Sequence, residues 1–489
     1  MTASSAPDSP DRARRRAGPR RPGLREAVVA FRYRNFRVFW FGALLSSTGT
    51  WVQWVTVPFV VLQLTGSAAW VGFTGFVQFL PAVIIGPLAG SIADRFHRRS
   101  VLLVTQALMA ANAFVLWIVW TAGVRSVAVI VGLVAVGGVL AGLNIPSWQA
   151  FVSELVPREV LLNAVTLNST QFNAARAFGP AVGGVVLGVF GPGAAFLVNA
   201  LSFFAVIVSL LLVRVSRLPR ATDHRGVLRQ FFEALRYVRG RPGIAACFLL
   251  VLALGALGGP LFQLLAVFAE RVFDVGDVAY GLLGAALGIG AVLAAPLIAG
   301  PGTGLARSRL TLLATSSYGG ALVLFALAPI YALGFVALLI CGGAYLAIAS
   351  TLNTTIQLQV DELMRGKVLA AYLMFLTLAM PVGALIQGTL AEAIGARVTV
   401  AGAGALFVAV TLYLALGTGY VSAMDEDSAD RVEAEVVETV ALGEEGLALE
   451  AGLDDGAPSA GGAGALDRID PAVAQVGEAP GPFDRSAGG

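Results

Sequence analysis

Residues 70–120 read WVGFTGFVQFLPAVIIGPLA, then GSIADRFHRRS, then VLLVTQALMAANAFVLWIVW. Two apolar runs flank a short segment that holds Asp94, Arg95, His97, Arg98 and Arg99. A bilayer core is crossed by about 20 apolar residues in a helix, so the stretch predicts two membrane spans joined by a charged turn. Such runs recur from Phe39 to Tyr420, and twelve of them leave about 32 residues per span plus loop. The spans are expected near 37–64, 69–92, 100–122, 126–147, 160–190, 193–214, 243–270, 278–299, 310–328, 330–352, 366–393 and 397–420. Of 489 residues, 57% are hydrophobic and 13% charged, where a soluble domain carries about 25% charged residues. The fold class is therefore all-α integral membrane, with twelve transmembrane helices in two pseudo-symmetric six-helix halves.

Charge sets the sidedness. With the N-terminus in the cytoplasm, 26 of the Lys and Arg residues fall in inner segments, and the outer loops keep only Arg125, Arg271 and Arg397. Positive-inside counting places both termini in the cytoplasm of a multi-pass cell-membrane (plasma or inner membrane) protein. The first apolar run follows a long arginine-rich lead and is too long for a cleaved signal. The expected order is a basic disordered arm (1–36), a first half (37–214), a cytoplasmic linker (215–242), a second half (243–421) and an acidic disordered tail (422–489). In the linker, Leu228, Phe231, Phe232, Leu235 and Val238 share one face of an amphipathic helix, suited either to the inner membrane surface or to a plain tether between bundles. From Met424 onward the tail holds 16 Asp and Glu against 3 Arg.

An internal repeat supports the duplication. At an offset of 204, Gly179, Gly184 and Gly191 correspond to Gly383, Gly388 and Gly395, and GPLAG near residue 86 resembles APLIAG near 295. Parallel duplication about an axis along the membrane normal is one transporter architecture, with its substrate site between the halves.

GSIADRFHRR fits Gly-x-x-x-Asp-Arg-x-x-Arg-Arg between spans 2 and 3, which resembles the loop signature of the major facilitator superfamily. RNFRVFW, TWVQWVTVPFVVLQLTGSAAWVG, the stretch from PSWQAF to GPAVGG, and FFEALRYVRGRPG resemble its bacterial exporter branch, that of the enterobactin exporter and macrolide efflux proteins. The resemblance implies a conformational gate: Asp94 against the inner N-terminal end of span 11, latching an outward-open state, with Arg95, Arg98 and Arg99 around it and Gly90 allowing close packing. A carboxylate suits a helix N-terminus because it meets unpaired N–H groups and the positive end of the macrodipole. The residue-level alternative is that the arginines only anchor topology. His97 stands where the family has glycine, and the matching loop of the second half, GPGTGLARSR, has no acid, so any latch is one-sided. GPAVGG in span 5 resembles the antiporter signature, carried by Gly179, Pro180, Gly183 and Gly184, whose proline kinks the helix while small residues allow close backbones. Simple helix packing accounts for the same residues.

Arg176 is the one basic residue deep in an apolar run, and an arginine at a bilayer centre costs roughly 2.5–3.5 kcal/mol on insertion scales. It is expected to face the bundle interior for anion recognition or a gate ion pair, or else to snorkel to an interface. Candidate polar partners on the substrate pathway are Gln53, Asn144, Asn168, Gln171 and Asn173, with Asn353 and Gln357 in the second half. Trp51, Trp54, Phe76, Phe79, Phe172 and Phe178 lie among them. No carboxylate sits deep in a span; Glu270 and Glu392, near outer ends, are the candidates for proton coupling.

These readings converge on a secondary transporter that exports a small amphipathic molecule, drug-like or siderophore, by alternating access driven by protons. An importer of the same fold, or a receptor or scaffold acting through the acidic tail, are the alternatives. No nucleophile and base constellation, nucleotide motif or Cys/His metal cluster is visible, so neither enzyme activity nor cofactor is expected. The expected partners are a small-molecule substrate, protons and the lipid bilayer, with no nucleic acid and a monomeric chain.

Overall fold

The computed structural model describes residues 28–214 and 227–426; the rest of the basic arm, linker residues 215–226 and the acidic tail beyond 426 lie outside the described residues. The described residues form thirteen α-helices and no strand. They are α1 (Arg34–Thr65), α2 (Ala68–Arg95), α3 (Arg98–Thr121), α4 (Val127–Val152), α5 (Leu161–Leu212), α6 (Val227–Arg239), α7 (Pro242–Ala253), α8 (Leu261–Arg271), α9 (Asp277–Ala299), α10 (Arg307–Leu327), α11 (Tyr331–Gln359), α12 (Glu362–Ile394) and α13 (Ala396–Leu412). Among the described residues, ten helical stretches are long and apolar enough to cross a membrane.

Two more crossings follow from the packing. α1 has 32 residues, about 48 Å of helix, enough to span although arginines open it. α5 is two helices merged across Gly191, whose φ of 77° only glycine adopts readily. Its first part runs parallel to α1: Ala30 N–H donates to Asn163 Oδ1 (2.9 Å), Trp40 Nε1 to the Leu167 carbonyl (2.8 Å), and Gly179 packs on Trp51. Its second part runs back along the same helix, with Gly49 against Ser202 and Arg34 donating to the Leu212 carbonyl (3.2 Å). The repeat partner of Gly191, Gly395, also has a positive φ of 92° and turns α12 into α13. The duplication seen in the sequence is therefore a duplication of backbone geometry.

α7 and α8 form one broken span through a π-turn at Leu254–Gly258. Widening to i→i+5 bonding loosens the backbone pairing, and Gln387 of α12 meets it by donating to the carbonyls of Ala256 and Leu257, both at 2.9 Å. α6 packs on the second half rather than lying free: Phe231 stacks on Phe375 and Val238 is buried, while Phe232 turns outward, off the face expected of it, 65% exposed. Leu228 lies outside the described side chains.

Two expected boundaries move. Residues 28–33, assigned to a disordered arm, pack through buried Ala30, and residues 422–426, assigned to the tail, form a docked turn with Met424 fully buried. Gln359 Nε2 holds that turn through the carbonyls of Ala423 and Glu426, both at 2.7 Å. Both segments extend the bundle: Ala30 donates to the Asn163 side chain on α5, and Asp425 accepts from the Ser308 N–H at the otherwise unsatisfied start of α10.

Candidate functional site

The end of the bundle that carries the residue 96–97 turn is called here the basic end, and the opposite end, with the turns at 66–67, 191 and 395, the far end. At the far end the halves meet backbone to backbone. A Cβ on Gly184 would stand 2.6 Å from the Cα of Gly281, and one on Gly388 would stand 2.6 Å from that of Gly72. These two crossings, α5 on α9 and α12 on α2, use residues related by the repeat. Gly288 lies as tightly on Ala177, and the Tyr280 hydroxyl donates to the Val55 carbonyl at 2.8 Å.

A charged clasp closes the same end. Glu392, at the end of α12, accepts from the Ala68 N–H that opens α2 (2.7 Å), and Arg271, which ends α8, donates to the carbonyl of Gly66, the left-handed cap of α1. Arg271 and Glu392 face each other at 3.8 Å. Acid at a helix N-terminus and cation at a helix C-terminus are the favourable pairings for the macrodipole. Glu270 is exposed beside them and bonds none of the described residues.

Toward the basic end the same faces part. On α5, Gly188, Gly184, Pro180 and Ala177 contact α9, but Asn173, Ser169 and Thr166, which continue that stripe at helical spacing, are exposed. On α9 the stripe Gly281, Gly284, Gly288 gives way to exposed Val292 and Ala299. On α12, Gly388 and Ala384 are buried and Thr377, Leu373, Ala370 and Gly366 are exposed. A Cβ on Gly86, Gly90 or Gly366 would meet nothing within 4 Å. The bundle is sealed at the far end and split toward the basic end.

The chain matches the family described as transmembrane secretion effector, a branch of the major facilitator superfamily, over residues 26–449. It belongs to that family. Among curated relatives it is 26% identical to the staphyloferrin A transporter of Staphylococcus aureus over 264 residues, 53% of this chain and 65% of that protein, just under two thirds of its length. It is also 26% identical to the multidrug efflux pump Tap of Mycolicibacterium fortuitum over 368 residues, 73% of this chain and 90% of that protein. Among solved structures, the nucleoside transporter NupG aligns with a TM-score of 0.63 at 13% identity, over 80% of this chain and all of that one. A bacterial homologue of the human lysosomal transporter Spinster, solved inward-facing and unoccupied, aligns at 0.61 and 16% identity over 80% of this chain and 97% of that one. Identities this low show the fold, which is the major facilitator fold.

Within this transporter fold the sequence candidates fall into separate places. Arg98 pairs with Glu154 (3.0 Å) and reaches the Ala150 carbonyl (3.3 Å), and Arg99 donates to the carbonyls of Leu210 and Leu211 (2.7 and 3.0 Å). These arginines fasten the start of α3 to the C-terminal ends of α4 and α5, all in the first half. Arg95 is exposed, and the side chain of Asp94 lies outside those described. The second half has an acid at the matching helix start after all, and it comes from beyond the last span: Asp425 accepts from the Ser308 N–H (2.9 Å) in the first turn of α10. Gly179 and Gly183 pack on Trp51 and Val52 of α1, while Pro180 and Gly184 meet α9, so the antiporter-like motif sits at the junction of three helices.

The pathway candidates separate likewise. Gln53 bonds Asn199 (2.6 Å), Asn144 bonds Thr105 and Gln106 (2.9 and 3.2 Å), and Asn173 bonds its own helix at Ser169 (3.0 Å). Asn168 bonds no described residue, and Gln171 is buried with its Nε2 unpaired. Asn353 and Gln357 bond each other. Arg176 instead lies across the halves, its guanidinium 4.6 Å from the centre of the Tyr345 ring on α11. One turn nearer the far end, Trp51 meets Phe262 of the second half edge to face (5.4 Å), and Trp54 links Trp51 to Phe79. Phe178 points the other way and is 64% exposed. Tyr345, Tyr280, Gln387 and the Arg271 clasp had no signal in the sequence, because their partners lie in the other half or on another span. Among the described residues no group of three or more His, Cys, Asp or Glu is placed to hold a metal, and Cys247 and Cys341 are free and buried.

Proposed function

We propose that the protein is a secondary exporter that works by alternating access, taking a small amphipathic molecule from the cytoplasm at the basic end and releasing it at the far end. The observation that carries this reading is the opening of the α5–α9 and α12–α2 faces: one set of stripes, sealed by glycine at one end and exposed at the other. A path between two halves that is closed at one end has to close at the other before the first can open, and a ligand shifts that equilibrium only through its different affinity for the two states. Arginine counting assigns the basic end and both termini to the cytoplasm. The relative named as a multidrug efflux pump supports the drug-like class and the outward direction, and the one named as a staphyloferrin A transporter supports a small-molecule substrate. The proton gradient enters from the far side, where Glu392 holds the clasp and Glu270 stands exposed. A proton on Glu392 removes one acceptor that closes that end.

Inverted membrane vesicles test the direction. Energised by an interior-acid proton gradient, they should accumulate an amphipathic dye and lose it on adding an ionophore; gradient-driven uptake into right-side-out vesicles instead overturns export. A sensitivity panel of drugs and siderophores on a deletion strain then narrows the substrate.

A further inference from the structure

The geometry points to Arg176 as the binding group for an anion, so that the transported molecule is an amphipathic carboxylate or a comparable planar oxyanion; the inference rests on the transport reading and adds the charge of the substrate to it. Arg176 is near the middle of the first part of α5, about 22 Å of helix from either end. Its direction is fixed by its neighbours. Ala175 and Gly179 point to the α1 side and Ala177 and Pro180 to α9, which leaves Arg176 between those helices, facing the space between the halves. The opposite face of α5 carries Phe178, Val182, Val185 and Val189, all exposed and apolar, as a lipid-facing stripe is.

The guanidinium has no counter-charge there. Its one ring, hydrogen-bond or ion-pair partner among the described residues is Tyr345, and no described carboxylate lies at mid-depth, since Glu154, Glu233, Asp361 and Glu362 sit at the basic end and Glu270, Asp277 and Glu392 at the far end. A cation held that deep without an anion is costly, and stacking on a tyrosine ring offsets only a part of it. One ring face cannot occupy all five N–H donors of a guanidinium, and the fork that the others form can receive a carboxylate through two parallel bonds. Trp51, Trp54 and Phe262 lie within a turn or two of it on the far side and suit an aromatic or apolar body. The site therefore pairs one fixed positive charge with an aromatic wall.

The test uses the full chain in phosphatidylcholine nanodiscs and equilibrium dialysis with 2-naphthoate and its uncharged counterpart 2-naphthamide. The wild type should bind naphthoate about tenfold or more tightly than naphthamide, a difference typical of a charge-assisted pair. Arg176→Gln should remove that preference, and Arg176→Lys should keep a weaker one, because an ammonium is a point charge. Size-exclusion profile and melting temperature check that each variant is folded, and Tyr345→Leu, which removes the stacking ring but no charge, should weaken naphthoate alone. Equal affinity for both probes, no binding of naphthoate, or a preference that survives Arg176→Gln overturns the assignment. So does displacement of naphthoate by phosphatidylglycerol in the nanodisc, which would make a lipid headgroup the anion. Dialysis has no gradient, so its failure leaves export standing, whereas wrong-way vesicle transport with the naphthoate preference intact strikes export and not the site.

Discussion

The two ends of the bundle use the same chemistry for different purposes. At the basic end Arg98 and Arg99 satisfy the terminal carbonyls of α4 and α5, which belong to their own half, and Asp425 satisfies the start of α10 within the other half. At the far end Glu392 and Arg271 satisfy the ends of α2 and α1, which belong to the opposite half. Helix termini need partners wherever they are. Where the partner is in the same half the contact survives a rocking motion and stabilises a domain; where it is in the other half the contact has to break, and it stabilises a state.

The largest expected effect separates the glycine stripes. A Cβ on Gly72 would sit 2.3 Å from the Ala384 carbonyl oxygen and 2.6 Å from the Gly388 Cα, both backbone atoms. Gly72→Ala should therefore cost the far-end-closed state about 1–3 kcal/mol, as overpacking does, and shift cysteine labelling at the far end by about fivefold to 150-fold toward accessible. Gly90→Ala meets nothing within 4 Å and should leave that state intact. If the basic ends close over Gly90, as the family resemblance implies, it should instead accumulate the inward-open form. Labelling that moves the same way in both variants breaks the comparison.

Next comes Arg98→Gln. The pair is largely buried, with the Glu154 side chain 9% exposed, so stranding that carboxylate should cost about 2 kcal/mol of stability. Because both partners are in one half, melting temperature should fall while side-specific labelling stays as in the wild type. Glu392→Gln should do the reverse, with a far-end opening of about fivefold, near 1 kcal/mol, since the clasp is partly exposed and its ion pair screened. Asp94→Asn should shift labelling toward the inward-open form by a similar amount and slow transport; unchanged transport reduces the loop to a topology anchor.

The smallest effect belongs to α6. Glu233 accepts from Lys367 of α12 at 2.7 Å, and that hydrogen bond holds its carboxyl below the ordinary carboxylate value. A lowered value means that the contact is fully present above the unperturbed pKa and is lost as pH falls through the lowered one. A cross-link between α6 and α12 should therefore form equally from neutral pH down to the ordinary glutamate range and weaken only at more acidic pH, and Glu233→Gln should remove the step. Asp361, bound by Tyr237 (2.8 Å) and Arg241 (3.2 Å), gives the helix a second hold.

Much of the fold could be read from the chain in order. Apolar runs and a 204-residue echo of glycines gave the spans and the duplication, and Gly191 and Gly395 proved to be the paired positive-φ turns that such an echo requires. The site was less legible. Arg176 stood out because a charge in an apolar run is a local anomaly, but the amides chosen as its partners were chosen for being near in sequence or alike in polarity, and Gln53 and Asn144 turn to other helices of their own half. Its true neighbour, Tyr345, is an ordinary residue of an apolar span. Glu392 was legible as an outer carboxylate and not as a clasp.

The order of residues was enough to establish which segments cross the membrane and how many arginines each connection carries, because hydropathy and charge act locally on about 20 residues at a time. It was also enough to show where glycine permits close approach. Which glycines meet was settled in three dimensions alone, as were the closing of a helix by Glu392 from 324 residues further along and the place of Arg176 between the halves without an acid. Those facts depend on how two similar halves face each other in one of two arrangements, and a linear pattern common to both arrangements does not distinguish them.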